Sequence, residues 1–473
     1  MRRPTLFVAA SVLALLAAAG SARAAITKGP WVQRVTPTSA VVRFELDAPA
    51  PAIVKLGADA ATRDGGAGKF ESLEAKTLHS VMITGLEPAT RYAYEVSTAG
   101  ASKLAAVTTA PKEDSTAPFR FLVYGDNRTD DAAHAAVVRG MAAAQSDFLV
   151  HTGDFVENGG SKPEWQTFFD IEAPLLREKP IVSCVGNHEL VDGTGIEYIR
   201  YFGPTETIGA ITAPDASAKQ LLAPEHLNGT FRWANTRFFL LNGMVGWRSG
   251  ADRAWLDKAL ADSDKESGLV WRVVVVHFGP WSSGPHGNNK LLHDAGIPAM
   301  LRSHKVDLVI SGHDHIYERG YAEGMAYIVS GGGGAPTYRI KNALPSAKKF
   351  ESVRHFVEAS VSQAAISFST MRPDGSVIER CALRKEGGWD CDAPAKTETT
   401  SSSSAPSTSP SATESSSSSS SSSSSKCGCR MAGDRASGAG AFGALVAAAF
   451  AIGWRRRRRA ILESCDSASR SRS

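Results

Sequence analysis

The chain has little net charge and few cysteines, and its first hundred residues hold no cluster of chemistry-bearing side chains. A formal net charge of +4 over 473 residues, part of it supplied by Arg455 to Arg459, does not indicate a nucleic-acid-binding surface, and no nucleic-acid partner is expected. Only six cysteines are present. Cys184 sits in an apolar run and reads as a buried thiol. Cys427-Gly-Cys429 is too tight for a comfortable disulfide and reads as a processing or lipidation site. Residues 27 to about 110 bring together no His, Asp or Glu cluster, which argues for a spacer or docking module rather than chemistry. From Ala393 the chain is Ser, Thr and Pro, with an unbroken serine run from Ser415 to Ser425. Such a segment cannot bury a core and reads as a flexible stalk over 393–426.

What remains suits a globular protein of two or three domains: 43% hydrophobic and 21% charged residues supply an ample core. At the N-terminus, Arg2-Arg3, the apolar stretch Leu6 to Ala19 and Ala22-Arg23-Ala24 make a secretory signal over 1–24. An exported chain makes a disulfide between Cys381 and Cys391 plausible, since they flank a Gly-Gly turn. At the other end, Ala436 to Trp454 is apolar and is followed by five arginines, a marginal span with its basic cluster on the cytoplasmic side.

The strand signals between 25 and 111 alternate, as in Val41-Val42-Arg43-Phe44-Glu45-Leu46 and Tyr92-Ala93-Tyr94-Glu95-Val96. The string Leu86-Glu87-Pro88-Ala89-Thr90-Arg91-Tyr92 resembles the tyrosine corner of fibronectin type III sandwiches, in which the hydroxyl ties back to the backbone. Trp31 is the expected core anchor of that module.

From Phe119 strands and helices alternate, which predicts an α/β layered fold. Strands are expected at 119–124, 147–151, 180–185, 271–276 and 306–310, a strand pair at 231–241, and closing strands at 327–330 and 358–369. Helices are expected at 132–144, 165–176, 252–261 and 291–303. In such folds ligands gather beyond the carboxyl ends of the strands. Five polar breaks sit there: Gly125-Asp126-Asn127-Arg128, Gly153-Asp154, Gly186-Asn187-His188-Glu189, His277, and Gly312-His313-Asp314-His315. Carboxylate, amide and imidazole in one set suit Zn, Mn or Fe better than Mg alone. A pair of cations about 3.5–4 Å apart needs a bridging carboxylate; Asp154, between the others in sequence, is the expected bridge.

These motifs resemble calcineurin-like metallophosphoesterases, nearest to the purple acid phosphatase branch, over residues 119 to about 370. The string His277-Phe278-Gly279-Pro280-Trp281-Ser282-Ser283-Gly284 and a β-sandwich ahead of the catalytic domain resemble that branch too. The resemblance implies a four-layer α/β/β/α sandwich over 119–385, preceded by a fibronectin III-like sandwich. It implies two divalent or trivalent ions (Fe, Zn or Mn), one held by Asp126, Asp154 and His315, the other by Asp154, Asn187, His277 and His313. His188 matches a supporting or proton-donating histidine, His286 is a candidate substrate contact, and Asp314 is expected to be structural. Two positions depart from the pattern. Arg128 stands where many of these enzymes have a histidine ligand, and Glu157 stands where purple acid phosphatases have the tyrosine that gives their colour. Glu157 or His134 is then a candidate for the missing ligand, with a solvated helix residue the alternative for His134. Arg128 cannot ligate a metal and is either a bidentate clamp on phosphate or an ion-pair partner of Asp126 or Asp130.

The implied function is hydrolysis of small phosphate esters by metal-activated hydroxide, with an acid-phosphatase-like phosphomonoesterase first. A phosphodiesterase or nucleotidase on the same centre is the alternative, and a surface adhesion protein with a degenerate phosphatase domain is another. Stalk, Cys-x-Cys, apolar span and arginines at 427–473 together resemble tripartite MYXO-CTERM-type sorting tails. That resemblance implies a membrane partner through the tail, with surface anchoring or release after processing.

Overall fold

A computed structural model describes residues 23–57, 68–203, 227–244, 247, 250–340, 342–385 and 388–391. The stalk, the tail and most of the signal segment lie outside the described residues. Among the described residues no helix is long and apolar enough to cross a membrane.

The chain opens with β1 (Ile26–Gln33), β2 (Ser39–Gly57), β3 (Gly68–Thr84), β4 (Arg91–Ser97) and β5 (Ser102–Thr108). They form one five-stranded antiparallel sheet, in which the long β2 pairs with β3 and with β1 and then β4. Tyr92 Oη accepts from the Glu87 N–H at 2.8 Å, the backward tie that the Leu86–Tyr92 string predicts.

Next come β6 (Phe119–Tyr124), α1 (Asp131–Ala142), β7 (Phe148–His151), α2 (Lys162–Leu176), β8 (Ile181–Ser183), α3 (Ile196–Phe202), β9 (Gly229–Trp233), β10 (Thr236–Leu241) and α4 (Ala251–Ser263). They are followed by β11 (Trp271–Val276), α5 (Lys290–Asp294), α6 (Ile297–Ser303), β12 (Leu308–Ser311), β13 (Tyr317–Ala322), β14 (Met325–Ser330) and β15 (Ala347–Glu351). The last four are β16 (Phe356–Val361), β17 (Ala365–Met371), β18 (Val377–Arg384) and β19 (Trp389–Cys391). Two seven-stranded sheets result, ordered β19-β18-β17-β16-β6-β7-β8 and β15-β13-β14-β12-β11-β10-β9. The pairs β6–β7, β7–β8, β10–β11, β11–β12 and β12–β14 are parallel.

Alternation along the strands sorts their side chains into layers. Phe121, Val123, Phe148, Val150, Phe238, Val273, Val275, Leu308 and Ile310 share the core between the sheets. Their neighbours Leu122, Tyr124 and Leu149 turn outward to Val137, Met141 and Phe168 of α1 and α2. On the other sheet Phe239, Leu241, Val274 and Val276 meet Leu256, Leu260 and Ile297 of α4 and α6. The order is helix, sheet, sheet, helix.

Three expectations need correction. Residues 291–303 are two short helices, because Gly296 adopts φ 72° and Pro298 opens the second. Residues 358–369 are parts of two strands, β16 and β17, turned at Ser362, whose N–H bonds Ala365 O. Trp31 is fully buried, but its ring lies 4.7 Å from Phe169, 6.2 Å from Tyr201 and 6.3 Å from Phe202. It belongs to the core around α2 and α3 and fastens the first sheet to the domain that follows. Arg43 reinforces the contact, donating to the carbonyls of Tyr201 and Arg200 at the end of α3.

Cys381 and Cys391 face each other across β18 and β19 and are joined in a disulfide; Cys184 is a buried free thiol.

Candidate metal centre

The parallel strands β6, β7, β8, β11 and β12 end on one rim, and the loops leaving them carry the predicted side chains. Each loop must reverse sharply where its strand stops. Asp126 (φ 58°), Asp154 (φ 58°) and His313 (φ 67°) adopt left-handed backbone, a conformation sustained only where surrounding contacts fix it. Gly312 lets that rim close: a Cβ there would lie 2.3 Å from Asp126 Oδ2.

All six predicted ligands come together. Asp126, Asp154 and His315 offer ligand atoms within 4.8 Å of one another, and so do Asp154, His277 and His313. Asp154 belongs to both groups. Asn187 Oδ1 lies 3.1 Å from His277 Nε2 and joins the second.

Hydrogen bonds fix the imidazole tautomers. His277 Nδ1 donates to Thr152 O at 2.8 Å, so Nε2 carries the lone pair. That lone pair faces Asn187 Oδ1, Asp154 Oδ1 at 3.3 Å and His313 Nδ1 at 3.1 Å. His315 Nδ1 donates to Pro336 O at 2.8 Å, leaving Nε2 3.6 Å from Asp126 Oδ1. Asn187 Oδ1, Asp154 Oδ1 and the His277 Nε2 lone pair are acceptors that converge and repel unless a cation stands among them, and that donor set fits a metal on that ground.

The electrostatics agree. Burial holds His313 down at about 2 and His315 at about 4, and lowers His277 as well, so all three imidazoles are neutral at neutral pH. Burial and the charge of Asp154 push Asp126 well up. Burial would also raise Asp154, but His277, His188, Arg128 and His313 outweigh it and hold that carboxyl below the usual range. Two buried carboxylates competing for one field are what a cation relieves.

The remaining predicted residues surround this cluster. His188 N–H donates to Asp154 Oδ1 at 3.1 Å, and its Nδ1 donates to Glu157 O at 2.6 Å. His286, with 41% of its side chain exposed, donates from Nδ1 to Asp314 Oδ1 at 2.8 Å, and its ring centroid lies 4.2 Å from that of His313. Asp314 is buried and also accepts from Ser282 Oγ and the His286 N–H. It therefore fixes the loop that holds His286 over the centre.

Arg128 pairs with neither Asp126 nor Asp130. Its Nε donates to Asp154 Oδ2 at 3.2 Å, Nη1 to Glu157 Oε2 and Thr129 Oγ1, and Nη2 to His315 Nε2 at 3.5 Å. The guanidinium is thus not an open fork for phosphate. Glu157 is half exposed and bonded to Arg128 and Thr129, and it belongs to neither donor group. His134 is neither ligand nor solvated: it is buried, with Nε2 2.7 Å from Glu172 Oε1. Its Nδ1 meets Asn127 Nδ2, and Asn127 Oδ1 takes His151 Nε2 at 2.6 Å. This chain of bonds stiffens the loop after Asp126 from beneath.

Other contributors escape the motif reading. Glu189 is buried and accepts from the N–H groups of Asp154, Phe155 and Gly186 at 2.8–2.9 Å, tying two ligand loops together. Burial and Asp154 push its carboxyl up to about 8, against the pull of those N–H donors. Gly333 and Gly334 lie backbone to backbone on the Asp126 loop: Gly333 N–H donates to Gly125 O at 2.8 Å, and a Cβ on Gly333 would sit 2.3 Å from that oxygen. The unbroken glycine run after an apolar strand was the available signal. Tyr338 stacks on His315 with centroids 4.1 Å apart and had none.

The calcineurin-like phosphoesterase family matches residues 119–317. Purple acid phosphatase 7 of Arabidopsis thaliana is 26% identical over 325 residues, covering 60% of this chain and 92% of the relative. Probable purple acid phosphatase 20 of the same plant is 26% identical over 247 residues, 51% of this chain; there the match spans about half of the relative, 55%. Among solved structures, purple acid phosphatase PPD1 from yellow lupin (Lupinus luteus) seeds superposes with TM-score 0.61 at 16% identity, over 75% of this chain and 74% of that one. The structure of PhoD superposes with TM-score 0.59 at 14% identity, over 79% and 93%. These two show a shared fold.

Proposed function

We propose that the chain, whose residues 119–317 match the calcineurin-like phosphoesterase family, hydrolyses small phosphate esters at a dinuclear metal centre, as a phosphomonoesterase of the acid phosphatase kind. The observation that carries the proposal is the position of Asp154 in both donor groups, the arrangement two adjacent cations require.

In this reading Asp126, Asp154 and His315 hold one ion, and Asp154, Asn187, His277 and His313 hold the other. Bound there, Fe, Zn or Mn ions supply Lewis acidity toward water and the phosphoryl group. The protein supplies position and protons. His277 and His315 are locked by carbonyl acceptors, so their lone pairs stay aimed at the centre without reorganisation. His188 and His286 each hold Nδ1–H on an oxygen, which leaves Nε2 to exchange a proton with the leaving alkoxide. Arg128 adds fixed positive charge beside Asp154.

Export and tail anchoring extend the proposal from the sequence alone. The Cys381–Cys391 disulfide supports an oxidising destination.

The test is turnover of p-nitrophenyl phosphate and bis-p-nitrophenyl phosphate by the full chain loaded with Mn, Zn or Fe. The expected result is a higher kcat/KM on the monoester. A preference for the diester would move the assignment to the phosphodiesterases, and no turnover of either with any metal would remove it.

A further inference from the structure

Two of the three donor atoms in the Asp126–Asp154–His315 group are already engaged by a cation that belongs to the chain. Arg128 Nε donates to Asp154 Oδ2 at 3.2 Å, and Nη2 donates to the lone pair of His315 Nε2 at 3.5 Å. Asp154 Oδ1 faces the other way, 3.3 Å from His277 Nε2, so Oδ2 is the oxygen left for the first group. The guanidinium stays protonated throughout the accessible pH range. It is also held from behind: Nη1 bonds Glu157 Oε2, which in turn accepts from Thr129 Oγ1 at 2.6 Å. With only 12% of its side chain exposed, Arg128 has little solvent to retreat into.

The two donor groups are therefore unequal. The group of Asp154, Asn187, His277 and His313 presents four side chains with no positive charge of the protein's own directly on their ligand atoms. The group of Asp126, Asp154 and His315 presents three, two of which must give up a charged hydrogen bond to accept a metal. An incoming cation also meets a like charge at close range, where charges interact strongly in a partly desolvated site.

We propose that Arg128 is a built-in competitor for the first metal position: the chain retains one cation firmly in the four-donor group, while Arg128 stands in for the other and makes that position labile. The inference rests on the dinuclear reading above and deepens it by making occupancy of the first position depend on metal supply. Glu157 is part of the device, since it holds the guanidinium against Asp154.

The experiment uses the full-length, metal-free protein titrated by calorimetry with Mn(II), and in parallel with Zn(II) and Fe(II), with retained metal counted by elemental analysis after gel filtration. Circular dichroism establishes that each variant is folded. Wild type is expected to retain one Mn(II) per chain and to bind a second at least about tenfold more weakly. Arg128→Ala should strengthen the weak site by about tenfold or more while leaving the strong one unchanged, and Arg128→His, which adds an imidazole, should retain two ions. Two ions retained equally by wild type, or a second binding constant unmoved in Arg128→Ala, would overturn the inference. Binding of no Mn(II), Zn(II) or Fe by any of the three proteins would instead overturn the phosphoesterase reading beneath it.

Discussion

Asp154 and Arg128 share one hydrogen bond that sets the character of the site: the carboxylate offers Oδ1 toward His277 at 3.3 Å and Oδ2 to the guanidinium at 3.2 Å. One side chain thus joins two donor groups. Asp154→Asn removes the shared charge while keeping the shape. Activity should fall by at least about a hundredfold, since losing even a residue that only supports a metal ligand costs up to that much. The melting temperature should change little. Turnover within tenfold of wild type would show that Asp154 does not bridge.

His286 and Asp314 should act as one unit. Asp314 holds both the N–H and the Nδ1 of His286, so Asp314→Asn loosens the imidazole over the centre. His286→Asn and Asp314→Asn should each lower kcat by about tenfold to a hundredfold with smaller changes in KM. The double variant should be no worse than the weaker single one, because groups that work through each other are non-additive. Multiplicative losses in steady-state kinetics would separate the two roles.

The legibility of this site differs by residue type. Ligands at strand ends were readable because an apolar run followed by Gly and a ligand-type side chain states both an element and its interruption. The ligand set itself, Asp126, Asp154, Asn187, His277, His313 and His315, is what the family resemblance implies for those breaks. The partners of Arg128 were not readable, because sequence neighbours such as Asp130 are turned away: Asp130 pairs with Arg354, 224 residues on. Trp31 showed its burial in its size but not its destination, since the rings it meets belong to α2 and α3 across the domain contact. Asp314 lies between two ligands and looked structural; only the return of the 282–286 loop reveals what it orients. Residues 291–303 read as one helix in sequence, yet Gly296 and Pro298 divide them into two.

The contact between the first sheet and the catalytic domain should be worth several kilocalories. Trp31→Ala empties a fully buried site among Phe169, Tyr201 and Phe202. Large-to-small changes of this kind cost about 3–5 kcal/mol. Urea unfolding should show the midpoint shifted downward by that equivalent, and a shift below about 1 kcal/mol would mean that the sheet contributes little to the domain.

Gly333, in the glycine run, should be intolerant of a side chain, and Gly193, far from it in sequence, should be tolerant. In Gly333→Ala the new Cβ would press on Gly125 O at 2.3 Å, backbone against backbone, at a cost of about 1–3 kcal/mol or more and with loss of activity. Gly193→Ala, where nothing lies within 4 Å and φ is 80°, should pay only for its backbone angle, about 1 kcal/mol. Equal melting temperatures for the two variants would remove the close-approach argument.

His355 should make stability depend on pH. Burial lowers it from 6.5 to about 4, so between those values the unfolded chain binds the proton and the folded chain does not. Stability from this group is present in full above 6.5 and is lost as pH falls toward 4. The difference amounts to about 3 kcal/mol. Comparing wild type with His355→Gln by denaturant unfolding at pH 4.5 and 7.0 should show wild type losing more on acidification; parallel losses would place the acid sensitivity elsewhere.

The most direct test of the shared carboxylate is anomalous diffraction from crystals soaked in millimolar Mn(II), a concentration chosen to fill the labile position too. Two peaks about 3.5–4 Å apart, each touching a different oxygen of Asp154, are predicted. Two peaks that Asp154 does not join, or no peak between Asp126 and His277, would contradict the account.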